Sequence, residues 1–536
     1  MTPRITRRSV VKASLALGSA TVTGMPPIDS LPRAHAASGP IVETSSGRLE
    51  GEAQEDLLVF RGIPFAKPPV GPLRFQPPEL PDPWTGLRDA TTFGPGAPQG
   101  ANPFEMLLTV LVPETSEDCL YLNVFTPGTT GKRPVLVWIH GGGNVVGAGS
   151  QRLYDGSELV RRGDVVIVTL NYRLGIFGFL HGTSVTGEAF PTSGNEGLLD
   201  QVAALRWVQQ EIAAFGGDPD NVTVFGQSAG SMNIAALIGM PSARGLFHKA
   251  ILQSSGTASH SMPPEAGARV FSAILDAAGL APATAGQLRE FSGEALLDLQ
   301  TRVGMVTGGF FPVIDGEVLP RSSYEAIADG ETAGIPVVVG TVRDEFSMFM
   351  LPDPSIAALD EASLLSRVDA MAPGRGQEAI DLYRRERQAR GGDVSPPALW
   401  IAMMTDHDFF VPAMRFAELQ SAHAPSFAYL FTWPSPVMGG AFGSIHGLDL
   451  PFWWGLRRDP GSAALIGDLV AAEPLSHMMQ DALLAFARTG DPSTSAIAWP
   501  AYAPLQRETM IFDRASTIED APRETERQFW ARVLWD

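Results

Sequence analysis

Short runs of apolar, mostly β-branched residues recur along the chain. They span Val135 to Ile139, Val165 to Leu170, Val222 to Phe225 and Val337 to Val339. Continuous apolar runs of this kind are typical of strands that are buried on both faces of a parallel sheet. We therefore predict buried strands of a mostly parallel central sheet at these four positions.

Stretches with apolar residues at helical spacing lie between and after these runs. Leu198 to Ala214 shows this spacing, and so does Met478 to Arg488, which is followed by Gly490 as a stop signal. The alternation of strands and helices predicts an α/β fold, with helices flanking the sheet. Residues 256–330 and 352–424 are mainly helical in pattern, and we expect them to be helical excursions over the active end of the sheet.

The first 36 residues differ from the rest of the chain. They contain Arg7 and Arg8, an uncharged stretch from Ala13 to Met25, and the triplet Ala34-His35-Ala36. A charged start, an apolar run too short to cross a bilayer and a small-residue cleavage site are typical of an export signal. We predict a twin-arginine signal at 1–36, one domain at 37–536, and a periplasmic or secreted protein.

The net charge limits the classes of binding partner, and the cysteine content limits disulfide formation. The formal net charge is -19, and an acidic surface repels phosphate backbones and anionic headgroups. We therefore expect no nucleic-acid partner, and outside the signal no apolar run is long enough for stable membrane insertion. Cys119 is the single cysteine, so no intramolecular disulfide can form.

The strongest chemical motif follows the run Val222 to Phe225. It reads Gly226-Gln227-Ser228-Ala229-Gly230 and leads into an apolar helical stretch from Met232 to Met240. A strand, a tight turn with small residues two positions before and after a serine, and a helix form a nucleophile elbow. This pattern predicts Ser228 as a nucleophile.

A second glycine-rich loop follows the run Val135 to Ile139. It reads His140-Gly141-Gly142-Gly143. Because glycine has no side chain, the backbone amides of this loop can point into a pocket. With the amide of Ala229, those of Gly142 and Gly143 would form an oxyanion hole. A phosphate-binding loop is the competing interpretation, but the dinucleotide glycine spacing and a following Lys-Ser or Lys-Thr are both absent, so we expect no nucleotide cofactor.

A serine nucleophile needs a base, and in this type of fold the acid and the histidine follow the serine in sequence. Among the nine histidines, His446 lies in a glycine-flanked loop, whereas His407 and His477 lie in helical stretches, where a packed or solvated role is more common. Asp344 and Glu345 follow the run Val337 to Val339, and the residues alone leave open which of them supports the histidine.

Several further motifs, together with the elbow, resemble those of the type-B carboxylesterase family, which includes the cholinesterases. They are Phe60-Arg61-Gly62-Ile63-Pro64-Phe65-Ala66, Glu117-Asp118-Cys119-Leu120-Tyr121-Leu122-Asn123-Val124, Asn171-Tyr172-Arg173-Leu174-Gly175 and Phe215-Gly216-Gly217-Asp218-Pro219. The resemblance runs from about residue 40 to the C-terminus. It implies an α/β-hydrolase fold, a triad of Ser228, Glu345 and His446, and no metal or cofactor. It also implies scaffold ion pairs between Arg74 and Glu117 and between Arg173 and Asp200.

The sequence departs from the cholinesterases at their ligand-binding positions. No aromatic residue lies between Glu105 and Leu120, where those enzymes carry a cation-binding tryptophan. The positions after the acid carry Phe346, Met348 and Phe349, which we take as candidate substrate-binding residues. A neutral, apolar pocket is therefore expected in place of a quaternary ammonium site.

These residues and the resemblance together predict a serine hydrolase that cleaves small-molecule carboxylic esters through an acyl-enzyme intermediate. Amides, carbamates and thioesters are the nearest alternatives, because the same triad cleaves them. The resemblance also covers adhesion proteins that keep the fold without the triad, but here all three triad positions are filled.

Overall fold

The computed structural model describes residues 39–100, 114–187, 190–256, 261–307, 309–350, 353, 355–455 and 460–536. The predicted export signal lies outside these residues. So does most of the stretch between Glu105 and Leu120 that lacks an aromatic residue. Among the helices of the described ranges, none is both long and apolar enough to span a membrane.

The described residues form fourteen strands. They are β1 (Ile41–Thr44), β2 (Gly47–Glu50), β3 (Glu52–Gln54), β4 (Leu57–Pro64), β5 (Leu87–Asp89), β6 (Tyr121–Thr126), β7 (Arg133–Ile139), β8 (Val166–Leu170), β9 (Gly217–Gln227), β10 (Lys249–Gln253), β11 (Val337–Val342), β12 (Ser426–Phe431), β13 (Glu508–Phe512) and β14 (Thr517–Asp520). Strands β1, β2 and β5 form a small sheet, and the other eleven form a large one in the order β14-β13-β12-β11-β10-β9-β7-β8-β6-β4-β3.

The centre of the large sheet is parallel. All neighbours from β13 to β8 run parallel, and antiparallel strands close both ends. The four predicted strands are confirmed as β7, β8, β9 and β11, all within this parallel centre. Because the carboxyl ends of parallel strands meet at one edge, the loops after β7, β9 and β11 come together there.

Both faces of the sheet are buried. Along β7, Val135, Val137 and Ile139 belong to one hydrophobic cluster, while Leu136 and Trp138 belong to a second cluster. Successive side chains of a strand point to opposite faces, so the two clusters lie on the two sides of the sheet. This explains why the strand sequences are apolar throughout and do not alternate.

Sixteen α-helices are found in the described ranges. They are α1 (Ser157–Gly163), α2 (Gly175–Gly178), α3 (Thr183–Thr186), α4 (Glu196–Glu211), α5 (Ala229–Ile238), α6 (Pro264–Ala278), α7 (Gly293–Thr307), α8 (Ser323–Ala328), α9 (Glu361–Met371), α10 (Gly376–Ala389), α11 (Pro396–Thr405), α12 (Val411–Gln420), α13 (Leu450–Trp453), α14 (Pro460–Ile466), α15 (Leu469–Thr489) and α16 (Glu524–Trp535). A π-helical segment, Asp406–Phe410, joins α11 to α12.

The two predicted helices are present with different ends. The first is α4 followed by the 3-10 turn Ile212–Phe215. The second is the C-terminal half of α15, which starts at Leu469 because the Asp468 side chain accepts a hydrogen bond from the amide of Ala471. Helix α15 is capped at Gly490, which has φ 79°. This left-handed conformation ends the helix at the glycine that the sequence analysis took as a stop signal.

Both expected scaffold ion pairs are confirmed. Arg74 binds Glu117 through two hydrogen bonds of 2.5 and 2.6 Å, and Arg173 binds Asp200 through two of 2.7 Å. The Arg173–Asp200 pair is fully buried. Cys119 is a buried free thiol, and burial raises the pKa of this thiol far above its usual value.

Candidate active site

Ser228 lies at a sharp turn between β9 and α5. Its backbone has φ 56° and ψ -128°, a conformation that is unfavourable for a residue with a side chain. A Cβ atom at Gly226 would lie 2.7 Å from the Ile139 carbonyl oxygen, and one at Gly230 would lie 2.0 Å from the same atom. The turn therefore requires glycine on both sides of Ser228, as the elbow pattern predicts.

The glycine loop after β7 passes beside this serine. A Cβ atom at Gly141 would lie 3.1 Å from the Ser228 Cβ. The amides of Gly142 and Gly143 donate no hydrogen bond within the described residues. Ala229 is the first residue of α5, where amides lack intrahelical acceptors. All three predicted oxyanion donors therefore belong to segments that adjoin Ser228.

His140 holds this loop in place. Its Nδ1 atom lies 2.8 Å from the carbonyl oxygen of Gly141, and its ring stacks on Tyr172 at 4.5 Å. The Tyr172 hydroxyl in turn donates to the His140 carbonyl oxygen at 2.9 Å. Burial lowers the pKa of His140 to about 4, so this ring is neutral at neutral pH and its contribution is to loop geometry.

His446 and Glu345 are in direct contact. Nδ1 of His446 lies 2.5 Å from Oε2 of Glu345, and both side chains are buried. The other carboxylate oxygen of Glu345 accepts from the Val342 amide at 2.9 Å, which fixes the carboxylate at the end of β11. Because Nδ1 faces a carboxylate it carries a proton, so Nε2 is the acceptor nitrogen of the neutral ring.

Asp344 has a different set of partners. Its Oδ2 atom accepts from the Ser444 amide at 2.8 Å and from Nε of Arg343 at 2.9 Å. Its own amide donates to the Ser444 carbonyl oxygen at 3.1 Å. Asp344 thus ties the acid loop to the histidine loop, and Glu345 is the carboxylate that reaches the imidazole.

Nε2 of His446 faces a residue that the sequence analysis did not single out. The side-chain nitrogen of Gln227 lies 2.9 Å from it. No hydrogen bond joins Oγ of Ser228 to His446 among the described residues. The residue before the serine therefore occupies the acceptor nitrogen in this state.

His407 lies away from this group, as its helical setting suggested. Its Nδ1 atom is 2.6 Å from Oδ1 of Asp408. Its ring contacts Trp530 of α16 at 4.9 Å. Through these contacts His407 packs the π-helical segment against α16.

One of the three candidate pocket residues lies beside the histidine, and a second packs against the first. The ring of Phe349 is 6.0 Å from that of His446, and the ring of Phe346 is 5.1 Å from Phe349. Met348 is only 8% exposed and belongs to the hydrophobic cluster that contains Trp138 and Ile445. Phe346 and Phe349 therefore form an apolar wall, while Met348 is a core residue.

Phe409 completes this wall and was missed in the sequence. Its ring lies 5.3 Å from His446 and stacks on Phe349 at 6.5 Å. It belongs to the π-helical segment between α11 and α12, and π-helical insertions often occur at functional sites. The second predicted helical excursion thus reaches the histidine.

Asp449 is a further buried carboxyl near the site. Its Oδ2 atom accepts from the Tyr429 hydroxyl at 2.9 Å and from Nε1 of Trp453 at 3.3 Å, while Oδ1 has no hydrogen-bond partner among the described residues. Burial, and then the charge of Glu345, raise the pKa of Asp449 from 3.8 to about 6. This carboxyl therefore titrates close to neutral pH.

Comparison with known proteins identifies the relatives of this chain. The model of the Carboxylesterase family matches residues 38–530. The para-nitrobenzyl esterase of Bacillus subtilis (strain 168) is 43% identical over 497 residues, covering 91% of this chain and 98% of the relative. The phenmedipham hydrolase of Pseudarthrobacter oxydans is 38% identical over 482 residues, covering 86% and 93%.

Solved structures show the same family relationship. A carboxylesterase from Geobacillus stearothermophilus superimposes with a TM-score of 0.83 at 42% identity, covering 91% of this chain and 99% of the other. The expected α/β-hydrolase fold is therefore confirmed. The chain belongs to the carboxylesterase family, and it is a serine hydrolase of carboxylic esters.

Proposed function

We propose that Ser228 is the nucleophile of this esterase, that His446 is its general base and that Glu345 orients the base. The observation that carries the proposal is the 2.5 Å contact between Nδ1 of His446 and the buried Glu345 carboxylate. It leaves Nε2 as the acceptor nitrogen, on the side where Gln227 and the elbow lie. A Ser-Glu-His triad is also the norm in the carboxylesterase family.

In this mechanism Oγ of Ser228 attacks the ester carbonyl while Nε2 of His446 takes the hydroxyl proton. The amides of Gly142, Gly143 and Ala229 stabilise the negative charge on the carbonyl oxygen. The histidine then gives its proton to the departing alcohol, and an acyl-enzyme remains. Water repeats the sequence and releases the acid, while Glu345 stabilises the imidazolium without taking the proton.

The proposed substrates are neutral esters with apolar groups. Phe349 and Phe409 place two aromatic rings beside His446, and the ring of Phe346 packs against that of Phe349. An apolar wall favours uncharged acyl or alcohol groups through burial of their surface. The Bacillus subtilis relative is named for para-nitrobenzyl esters, so an aromatic alcohol group is the first to test.

The esterase is also proposed to be exported. The arginine pair, the apolar run and the small-residue triplet within residues 1–36 support this. Mass spectrometry of the protein recovered from periplasm and medium tests it. A mature chain that starts at Ala37 is the expected result, and an intact Met1 in a cytoplasmic fraction contradicts the proposal.

Turnover of a panel of para-nitrophenyl and para-nitrobenzyl esters of increasing acyl length tests the triad and the substrate class. The chain with Ser228→Ala serves as the matched control, and the corresponding amides are measured beside the esters. Rapid ester cleavage that the substitution removes, with the fold intact by circular dichroism, supports the proposal. Unchanged turnover by Ser228→Ala refutes Ser228, and faster cleavage of amides than of esters refutes the substrate class.

A further inference from the structure

Two buried asparagines connect the glycine loop after β7 to helix α5. Asn144 comes directly after Gly143 in the loop, and Asn233 lies in α5, one helical turn after Ala229. Nδ2 of Asn233 donates to Oδ1 of Asn144 at 2.9 Å, and Nδ2 of Asn144 donates to Oδ1 of Asn233 at 3.4 Å. Both residues are completely buried. The two amides therefore form a reciprocal pair between the two segments that carry the proposed oxyanion donors.

Asn144 is also fixed on its own side of this pair. Its backbone has φ 58°, a left-handed conformation that asparagine tolerates better than most residues with a side chain. Its carbonyl oxygen accepts from the amide of Gly175 at 2.6 Å, and the Tyr172 hydroxyl lies 3.3 Å from its Oδ1 atom. Asn233 is held as an interior residue of α5. Because both ends are held, the amide pair fixes the separation of the loop from the helix.

This separation determines whether the three proposed donors can act together. Gly142 and Gly143 belong to the loop, whereas Ala229 belongs to the helix. An oxyanion hole works only when its donors converge on one position, and a displacement of about 1 Å can lower a rate about 100-fold. The amide pair opposes such a displacement, because separation would leave buried polar groups without hydrogen bonds.

We propose that Asn144 and Asn233 are positioning residues of the ester hydrolysis. They hold the loop donors and the helix donor at the separation that the tetrahedral intermediate requires. Neither side chain needs to touch the substrate, since each acts through the backbone of the segment that carries it. This role rests on the oxyanion hole of the proposed function, and it adds the two residues that maintain the hole.

Kinetics of the purified esterase with para-nitrophenyl butyrate tests this role. Asn144→Gly and Asn233→Ala each remove the amide contact, and glycine adopts the backbone conformation of Asn144 without strain. We expect each change to lower kcat about tenfold to 100-fold and to alter KM less than about twofold, because the donors act mainly on the transition state. The double variant should lose no more than about twofold beyond either single variant, since both changes remove one contact.

Octyl trifluoromethyl ketone gives a second readout that is specific to the oxyanion hole. The Ser228 oxygen adds to the ketone carbon while the hydroxyl proton moves to His446, and the carbonyl oxygen becomes negatively charged in the hole. We expect both single variants to bind this ketone at least about tenfold more weakly. The corresponding secondary alcohol has no carbonyl carbon to attack, so its affinity should change less than about twofold.

Asn123→Ala is the matched control. Asn123 is a buried asparagine of β6 that accepts from the amide of Gly62 and donates to the hydroxyl of Thr169, each at 3.0 Å. Its loss also removes two hydrogen bonds of a buried amide, so urea unfolding should show lower stability. We expect its kcat and its affinity for the ketone to stay within about twofold of the wild type.

Unchanged kcat and ketone affinity in a folded Asn144→Gly or Asn233→Ala variant overturns the proposal, since the pair then supports only the fold. Losses that multiply in the double variant also overturn it, because the two residues then act separately. If one single variant does not fold, the other supplies the same test. A failure of the proposed function is seen separately, because Ser228→Ala would then retain turnover whatever the asparagine variants show.

Discussion

The side-chain amide of Gln227 lies 2.9 Å from Nε2 of His446, the nitrogen that is proposed to accept the serine proton. The amide and the Ser228 hydroxyl therefore compete for one lone pair. A carboxylate in place of the amide would stabilise the imidazolium form, which cannot accept a proton. We expect Gln227→Glu to move the acid limb of the kcat/KM profile to higher pH by about one unit. The wild type is the matched uncharged isostere, and a profile that does not move argues against the contact in the working enzyme.

The proposed mechanism gives different roles to the adjacent carboxylates Asp344 and Glu345. Glu345→Gln keeps the size of the side chain but removes the charge that fixes the imidazole tautomer, so we expect kcat to fall by about 10³-fold to 10⁴-fold. Asp344→Asn is the control, because an amide oxygen can still accept from Ser444, and here we expect a loss below about tenfold. Single-turnover kinetics measures both, and equal losses would contradict the distinction between these residues.

The aromatic wall predicts a change in acyl preference. Phe409→Ala removes a ring 5.3 Å from His446, and we expect kcat/KM for long or branched acyl esters to rise relative to acetate by about tenfold. Phe410→Leu alters the buried neighbouring position and serves as the control for changes in the core. An identical acyl profile for Phe409→Ala and the wild type places Phe409 outside the pocket.

The buried Asp449 predicts how stability depends on pH. Its pKa is raised from 3.8 to about 6, so the folded state binds a proton that the unfolded state releases. The stability from this proton is fully present below about pH 4 and is lost as pH rises through about 6. The asparagine of Asp449→Asn cannot ionise. We therefore expect the free energy of unfolding of this variant, relative to that of the wild type, to increase by up to about 3 kcal/mol as the pH rises from 4 to 8.

Urea unfolding at several pH values measures this difference. Asp468 is the control, because hydrogen bonds from the amide of Ala471 and from Arg514 lower its pKa. The stability from this exposed group is present at high pH and is lost as pH falls, so Asp468→Asn should show the opposite trend. A difference between Asp449→Asn and wild type that is constant with pH would contradict the prediction.

The Arg173–Asp200 pair is fully buried, and breaking it leaves an uncompensated charge in the core. We expect Asp200→Asn to lower the free energy of unfolding by about 3–5 kcal/mol. The exposed pair of Lys67 and Glu79 is the comparison, where Glu79→Gln should cost less than about 1 kcal/mol. Chemical unfolding measures both, and a small effect of Asp200→Asn would show that the arginine finds another partner.

The features that the sequence predicted are local. The strands of the sheet centre are visible because burial on both faces removes polar residues from them, and the elbow is visible because Gly226 and Gly230 are required by contacts with Ile139. His446 is favoured by its position after Ser228 and its loop setting, whereas the choice of Glu345 needed the family resemblance, since Asp344 is its direct neighbour in the chain.

The features that the sequence did not predict depend on distant contacts. Gln227 and His446 are 219 residues apart, and nothing in their local patterns links them. Phe409 reaches the site because a π-helical segment shifts the phase of the helix that follows α11, so a regular helical spacing misplaces it. Asp449 is a buried carboxyl whose environment is set by Tyr429 and Glu345, which lie on other elements.

The backbone of Ser228, with φ 56° and ψ -128°, has a consequence for how such a sequence evolves. Glycine adopts this conformation with much less strain than serine. A substitution to glycine therefore stabilises the fold in the same step that removes the nucleophile. Selection for folding alone disfavours serine here, and only selection for turnover retains it. In a gene copy that is no longer needed for hydrolysis, this position is among the first to change.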